Sequence, residues 1–191
     1  MLGSAPEPEI PLGLIGSATL VCINNAGAAA ARLGLPPPRL TIRNSHKKWA
    51  AVAGCDMPLL LWICDRNAVE IALKRLLVRR TRIGEIHRMA TAERDTLCRH
   101  MAEIVFNEAD RPGKPSTAVF AALLGAFAGV PGIVISGVSL GKEGYSYPIA
   151  DGRMLHSEED RRWLQGMARR QMNVATTAAD LSRQCGLPLC S

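Results

Sequence analysis

A short apolar run, Ile133-Val-Ile135, leads straight into Ser136-Gly137 and a glycine-punctuated stretch. That stretch ends in Gly144-Tyr-Ser-Tyr147 and is followed by His156-Ser-Glu-Glu-Asp160. Imidazole titrates near neutrality and can act as a general base, a role typically worth ~10²–10⁴-fold in rate. A phenol can donate a hydrogen bond to the negative charge that builds on a departing phosphate. His156 is therefore a candidate base and Tyr147 a candidate leaving-group clamp, with Tyr145 as a possible substitute donor.

Side chains of this kind need rigid elements behind them. Ala18–Ile23 is an apolar, β-branched run that ends at Asn24-Asn25 and predicts a buried strand. Ala26–Leu33 predicts a helix stopped by Gly34 and Pro36-Pro-Pro38. Arg39–Arg43, ending at Asn44, and Leu59–Ile63 predict two further strands. Asn67–Arg79 has helical apolar spacing at Val69, Ala72, Leu73, Leu76 and Leu77, and Glu93–Phe106 also predicts a helix. Ser116 and Thr117 can cap a helix from Ala118 to about Ala128. The strand at 132–135 follows. A helix capped by Ser157 then runs through Arg170, its acidic first turn and basic last turn suiting the helix dipole. Asn173–Thr176 is a candidate last strand. Strands alternating with helices predict an α/β fold with a mostly parallel, Rossmann-like sheet and helices on both faces. In such folds ligands sit beyond the carboxyl ends of the strands, which selects Asn24, Asn25, Asn44, Ser136-Gly137 and the helix start at Ser116.

Bulk properties bound the function. At 191 residues, with 48% apolar and 21% charged residues, the chain is expected to form one globular domain over 1–191. No apolar run reaches the ~18 residues of a membrane span, and 118–130 is short and broken by glycine. The N-terminus lacks signal-peptide features, so a cytoplasmic protein is expected. Six cysteines without C-x-x-C spacing suggest buried, reduced thiols rather than zinc ligands. A net charge of +6 admits an acidic substrate or peripheral association with the inner face of an anionic membrane. Its densest part, Lys74–Arg82, is most plainly a solvated helix face, and with no aromatics interleaved it argues against nucleic acid. His46, His87 and His100 are expected at surface or structural positions, and Trp49, Trp62 and Trp163 in packing. Leu2-Gly3-Ser4-Ala5-Pro6 has the form of a strand tail followed by a small-residue turn that lets backbone N–H groups approach a phosphate. On this reading the first strand is truncated, by a misassigned start or a deletion, and the sheet is weakened.

The order of these features resembles the bacterial sialyltransferases of glycosyltransferase family 42. It runs through a small-residue turn, strand–Asn–Asn, strand–Asn, Ser116-Thr-Ala118, Ser136-Gly137, Tyr147 and His156-Ser-x-x-Asp160. The resemblance spans nearly the whole chain and is strongest from Lys114 to Leu164. It implies a metal-independent, inverting transferase that needs no cofactor and moves a sugar from a cytidine monophosphate-activated donor to a glycan hydroxyl, such as one on lipopolysaccharide. It further implies His156 as base and Tyr147 as a phosphate-binding tyrosine. Ser4, Ala5, Asn24, Asn25, Asn44, Ser116, Thr117, Ala118, Gly137 and Ser139 fall on nucleotide or donor contacts, and Lys114 on an acceptor-side arginine. The chain departs from the family pattern at Asn25 (Gln in the family), Ser139 (Asp), Gly141 and Arg153 (both Tyr). Lys142 and Arg153 could supply positive charge where phenols are missing. The departures leave a second reading open, a nucleotide-binding or structural homologue without catalysis. Either reading permits a homo-oligomer. A dinucleotide-dependent oxidoreductase is disfavoured because Gly3-Ser-Ala-Pro6 lacks G-x-G-x-x-G spacing.

Overall fold

The computed structural model describes residues 1–4, 8–78, 81–140 and 156–190. Among these, strands and helices alternate as the apolar pattern predicts: β1 (Val21–Ile23), α1 (Ala26–Arg32), β2 (Leu40–Asn44), β3 (Asp56–Ile63), α2 (Ala68–Leu77), β4 (Arg82–Met89), α3 (Thr91–Val105), α4 (Thr117–Phe127), β5 (Ile133–Ile135), α5 (Ser157–Arg169), β6 (Val174–Thr176) and α6 (Ala179–Cys185). Strands β1-β2-β3-β4 form one parallel sheet and β5-β6 a second parallel pair. Residues 1–3 join the two. Leu2 bridges Cys22 on one side and Ser136 on the other, both in parallel, and Gly3 N–H donates to the Ser136 carbonyl at 2.7 Å. The spatial order is thus β6-β5-(1–3)-β1-β2-β3-β4, an α/β arrangement consistent with a Rossmann-like fold.

Strand alternation sends successive side chains to opposite faces. Ile23, Ile42 and Ile63 pack against Phe120, Ala121 and Cys98 of α4 and α3. Cys22 faces the other way, onto Ala26 and Ala30 of α1. Leu60 and Trp62 meet Ile71 of α2 on that side. Helices therefore cover both faces. The largest cluster lies around β5 and β6, where Trp163, Leu164 and Met167 of α5 pack on Val119 and Leu123 of α4. Each such side chain contributes roughly 1.5–3 kcal/mol by leaving water. Trp62 and Trp163 are buried, and Trp49 packs edge-on against Trp62, so the tryptophans are packing residues as expected. All six cysteines are free thiols, and burial raises Cys22 to about 12 and Cys185 to about 11.

Three local expectations need correction. Strand β4 is absent from the sequence reading because it is an edge strand of mostly polar, exposed residues with no clean alternation. Helix α2 forms where its apolar spacing predicts, with Asn67 accepting the Glu70 N–H at 2.9 Å, yet no residue of it is buried. Val69, Leu73, Leu76 and Leu77 are exposed, while Ile71 packs on the sheet and Arg75 donates to the Ile83 carbonyl of β4 at 3.1 Å. Finally, His156 rather than Ser157 occupies the cap position of α5, and Ser157 is the first helical residue. Among the described residues, no helix is long and apolar enough to cross a membrane.

Candidate functional site

Chain order reverses across the sheet between residues 1–3 and β5. Strands β1 to β4 extend to one side, β5 and β6 to the other. Such a switch point opens a crevice at the carboxyl ends of the strands, because the connections on either side leave in opposite directions. A cleft of about 200 Å³ lies there. Ser4, Asn24, Asn44, Gly137 and Ser139 enter from strand ends, Ser116, Thr117 and Ala118 from the start of α4, and His156 from the start of α5. The sequence-selected positions Ser4, Asn24, Asn44, Ser116, Thr117, Ala118, Gly137, Ser139 and His156 thus converge on one cleft.

Local chemistry explains how each is held. Asn24 takes a left-handed conformation (φ 54°), which Asn tolerates better than most residues. Its side-chain oxygen accepts the Asn44 N–H at 3.0 Å, tying the end of β1 to the end of β2. Gly3 runs so close to Gly137 that a Cβ on Gly3 would lie 2.3 Å from the Gly137 carbonyl oxygen, so only glycine fits. Ser116 caps α4 by accepting the Val119 N–H at 3.4 Å. Its own N–H donates to buried Asp160 Oδ1 at 2.7 Å, locking α5 against the start of α4. Burial pushes the Asp160 carboxyl above its usual range, opposed by the Ser116 hydrogen bonds and by His156. Asp160 therefore sits in the cleft wall one helical turn beyond His156, whose carbonyl accepts the Asp160 N–H at 2.8 Å.

Two selected residues lie elsewhere. Asn25 is fully buried and its Oδ1 accepts from Arg43 Nη1 at 2.5 Å, so it supports the turn beneath the cleft and does not face a ligand. Lys114 does not line the cleft and forms a 2.6 Å ion pair with Asp95. Ala5, Lys142, Tyr147 and Arg153, with Gly141 and Tyr145, lie outside the described residues.

The cleft also holds residues that sequence reasoning passed over. His46, expected at a surface or structural site, lines it together with Lys47 and Arg94. Burial, then Lys47, Arg43, Arg94 and His156, push the His46 imidazole below its ordinary value, so it is mainly neutral at physiological pH. Arg94 donates to the Pro115 carbonyl and lies 5.2 Å over the Phe120 ring, which anchors its charge at the cleft wall. The loop bearing His46 is held by Arg43, a fully buried guanidinium that donates to the carbonyls of Lys47 and Lys48, both at 2.9 Å. Only the fold brings Arg94, 50 positions beyond Asn44 in the chain, beside it.

Chemically the described lining of the cleft is rich in basic side chains, with an imidazole at its rim. Arg94 and Lys47 are fixed cations, and the N-termini of α4 and α5 add positive potential. The acid in the wall, Asp160, is engaged by a backbone N–H. Among the described residues, no three of His, Cys, Asp and Glu converge as a metal-binding group. No family model, no curated protein and no solved structure matches this chain.

Proposed function

We propose that the cleft binds a cytidine monophosphate-activated sugar and that the protein is a metal-independent, inverting glycosyltransferase of the sialyltransferase type. The observation that carries the reading is the convergence of His156 with Arg94, Lys47 and the start of α4 at the switch point of the sheet. In this reading His156 removes the proton of a glycan hydroxyl as its oxygen bonds to the anomeric carbon. The bond from that carbon to the phosphate oxygen breaks, and the nucleotide leaves as an anion stabilised by Arg94, Lys47 and the helix N-termini. Asn24, Asn44, Ser116 and Thr117 supply polar contacts to nucleotide and sugar. Asp160 is a positioning residue that joins the two helix starts.

A donor-hydrolysis and transfer assay across cytidine-activated sugars tests this, paired with calorimetric titration of cytidine monophosphate. His156→Ala should lose transfer by at least ~10²-fold while keeping the fold and nucleotide affinity. Full activity in that variant removes His156 from the mechanism. A second reading, a nucleotide-binding homologue without catalysis, is favoured by one feature. Ser139 and Gly141 stand where the resembled family has an aspartate and a phosphate-binding tyrosine. Nucleotide binding without hydrolysis of any donor selects that reading, and no binding at millimolar nucleotide defeats both.

A further inference from the structure

Helix α2 is amphipathic in the opposite sense from a helix that only covers a sheet. A layer helix ordinarily buries its apolar stripe and leaves the polar face in water. In α2 the side chains of Val69, Leu73, Leu76 and Leu77 belong to residues that are 68%, 56%, 69% and 76% exposed. At ~100° per residue these four positions fall within an arc of about 100°. Ile71 lies on the far side of the helix and packs on the sheet-side cluster with Leu60 and Trp62. Arg75, near Ile71 on the wheel, donates to the Ile83 carbonyl of β4 at 3.1 Å. The helix is therefore docked by its narrow inner side, and its apolar stripe is turned outward. A contiguous exposed apolar patch of this kind marks an interaction surface rather than ordinary surface scatter.

Charge identifies what the stripe meets. From Asp65 to Met89 the sequence carries seven Lys or Arg against three Asp or Glu, so most of the chain's net +6 is gathered around α2. Arg79 and Arg80 of that set lie outside the described residues. Of the rest, Arg82 has a side chain 90% exposed, and Arg66 is tied to Glu70 at 3.0 Å. A second copy of the chain is disfavoured, because a two-fold contact sets the same patch on itself and brings like charges together. A protein partner of any kind is also poorly served. Helix α2 has ten residues, about 15 Å of length, and presents on the order of 200–400 Å², well below the ~800 Å² per partner of a specific interface. An anionic lipid surface needs no such footprint. It takes up a short helix lying in the interface plane, apolar face down by ~5–10 Å, with Lys and Arg among the headgroup phosphates. That helix need not span the bilayer, whose core is about twice as thick as α2 is long.

We propose that α2 is an interfacial anchor, which lies along an anionic phospholipid bilayer with Val69, Leu73, Leu76 and Leu77 below the headgroups. Its failure would leave the reading of the cleft untouched, since no α2 residue lines that cleft. The test is co-sedimentation with vesicles of equal parts phosphatidylcholine and phosphatidylglycerol, compared with phosphatidylcholine alone. The anionic vesicles should bind the protein at least ~10-fold more tightly, and the difference should shrink at about 1 M salt, where the Debye length is ~3 Å. Leu73→Gln with Leu77→Gln should weaken binding at least ~10-fold. The same pair should leave the thermal midpoint unchanged, because glutamine keeps the helix propensity and neither leucine is buried in the fold. No binding to the anionic vesicles, equal binding to both kinds, or binding indifferent to the glutamine pair overturns the proposal. If the pair does not fold, Leu76→Trp is read instead. Brominated phosphatidylglycerol should quench its fluorescence beyond that of the wild type, and equal quenching overturns the proposal. A wild type that sediments without lipid as a dimer, and as a monomer once the glutamine pair is introduced, marks a contact between copies and also overturns it.

Discussion

Arg43→Met is the perturbation most fully determined by the geometry. The guanidinium is fully buried and holds two turns at once. Nη1 donates to Asn24 O at 3.1 Å and to Asn25 Oδ1 at 2.5 Å, and Nη2 donates to the Lys47 and Lys48 carbonyls. The group also stacks 4.4 Å from the Trp49 ring centroid. Methionine keeps most of the stem volume but none of the donors. The Lys47 and Lys48 carbonyls lie in a partly open loop and can turn to water at little cost. Asn25 cannot, because it is fully buried, and an unsatisfied buried amide costs about 1–3 kcal/mol. With the Asn24 carbonyl and the lost stacking, the total comes to about 3–5 kcal/mol, the usual cost of removing one partner from a buried charged network. For a chain of this size that lowers the thermal midpoint by roughly 6–20 °C. Circular dichroism melts of the wild type, Arg43→Met and Arg43→Lys measure it, and lysine should recover only part because it lacks the planar fork. Adding Asn25→Leu to Arg43→Met should cost less than the two single changes together, by ~0.5–3 kcal/mol. A melt of Arg43→Met within ~2 °C of wild type would refute the reasoning.

Other consequences follow from the same cleft. Asp160 holds its proton more tightly in the native state than in the unfolded chain, so its contribution to stability declines as pH rises from the unfolded carboxyl range through the raised native value. Asp160→Asn should flatten that decline in denaturant titrations at about pH 4 and about pH 7 while weakening donor turnover; an unchanged pH slope would show that the carboxyl is not desolvated. Gly3→Ala should destabilise by about 1–3 kcal/mol, since its methyl meets a backbone carbonyl and cannot be relieved by a rotamer change. A melt indistinguishable from wild type would mean that the turns around 3 and 137 part easily. Lys114→Ala should change stability by less than ~1 kcal/mol and leave donor hydrolysis intact, because its ion pair with Asp95 is largely exposed and outside the cleft. Lost hydrolysis would place Lys114 at the donor.

What the sequence discloses divides along physical lines. Buried parallel strands carry their own signature, short apolar runs followed by polar or turn-forming residues, and β1, β2, β3 and β5 fall where those runs lie. The strand-end rule then locates the cleft without any side-chain geometry, which is why Asn24, Asn44, Ser116 and Gly137 are found in advance. Edge strand β4 lacks the signature because only a buried strand must be apolar on both faces. Helix α2 has the opposite problem. Its amphipathic spacing is real, but a periodicity cannot say whether anything packs on it.

Arg43 marks the deeper limit. It ends an apolar strand, where a charged residue is ordinarily taken as the point at which the chain meets water. Its printed contacts come from two segments, Asn24-Asn25 at the end of β1 and Lys47–Trp49 just beyond β2, and no periodicity of β2 itself announces them. The same holds for His46, Lys47 and Arg94. Each is an unremarkable basic residue in its own segment, and the cleft acquires its positive character only when β2 and α3 come side by side. With one buried, hydrogen-bonded carboxylate among the described lining residues set against these cations and two helix starts, the field of those groups favours a multiply charged anion over a neutral sugar alone. On the proposed function, ligand discrimination at this site turns on phosphate charge before it turns on sugar identity, and removing Arg94 should weaken a nucleotide far more than its nucleoside.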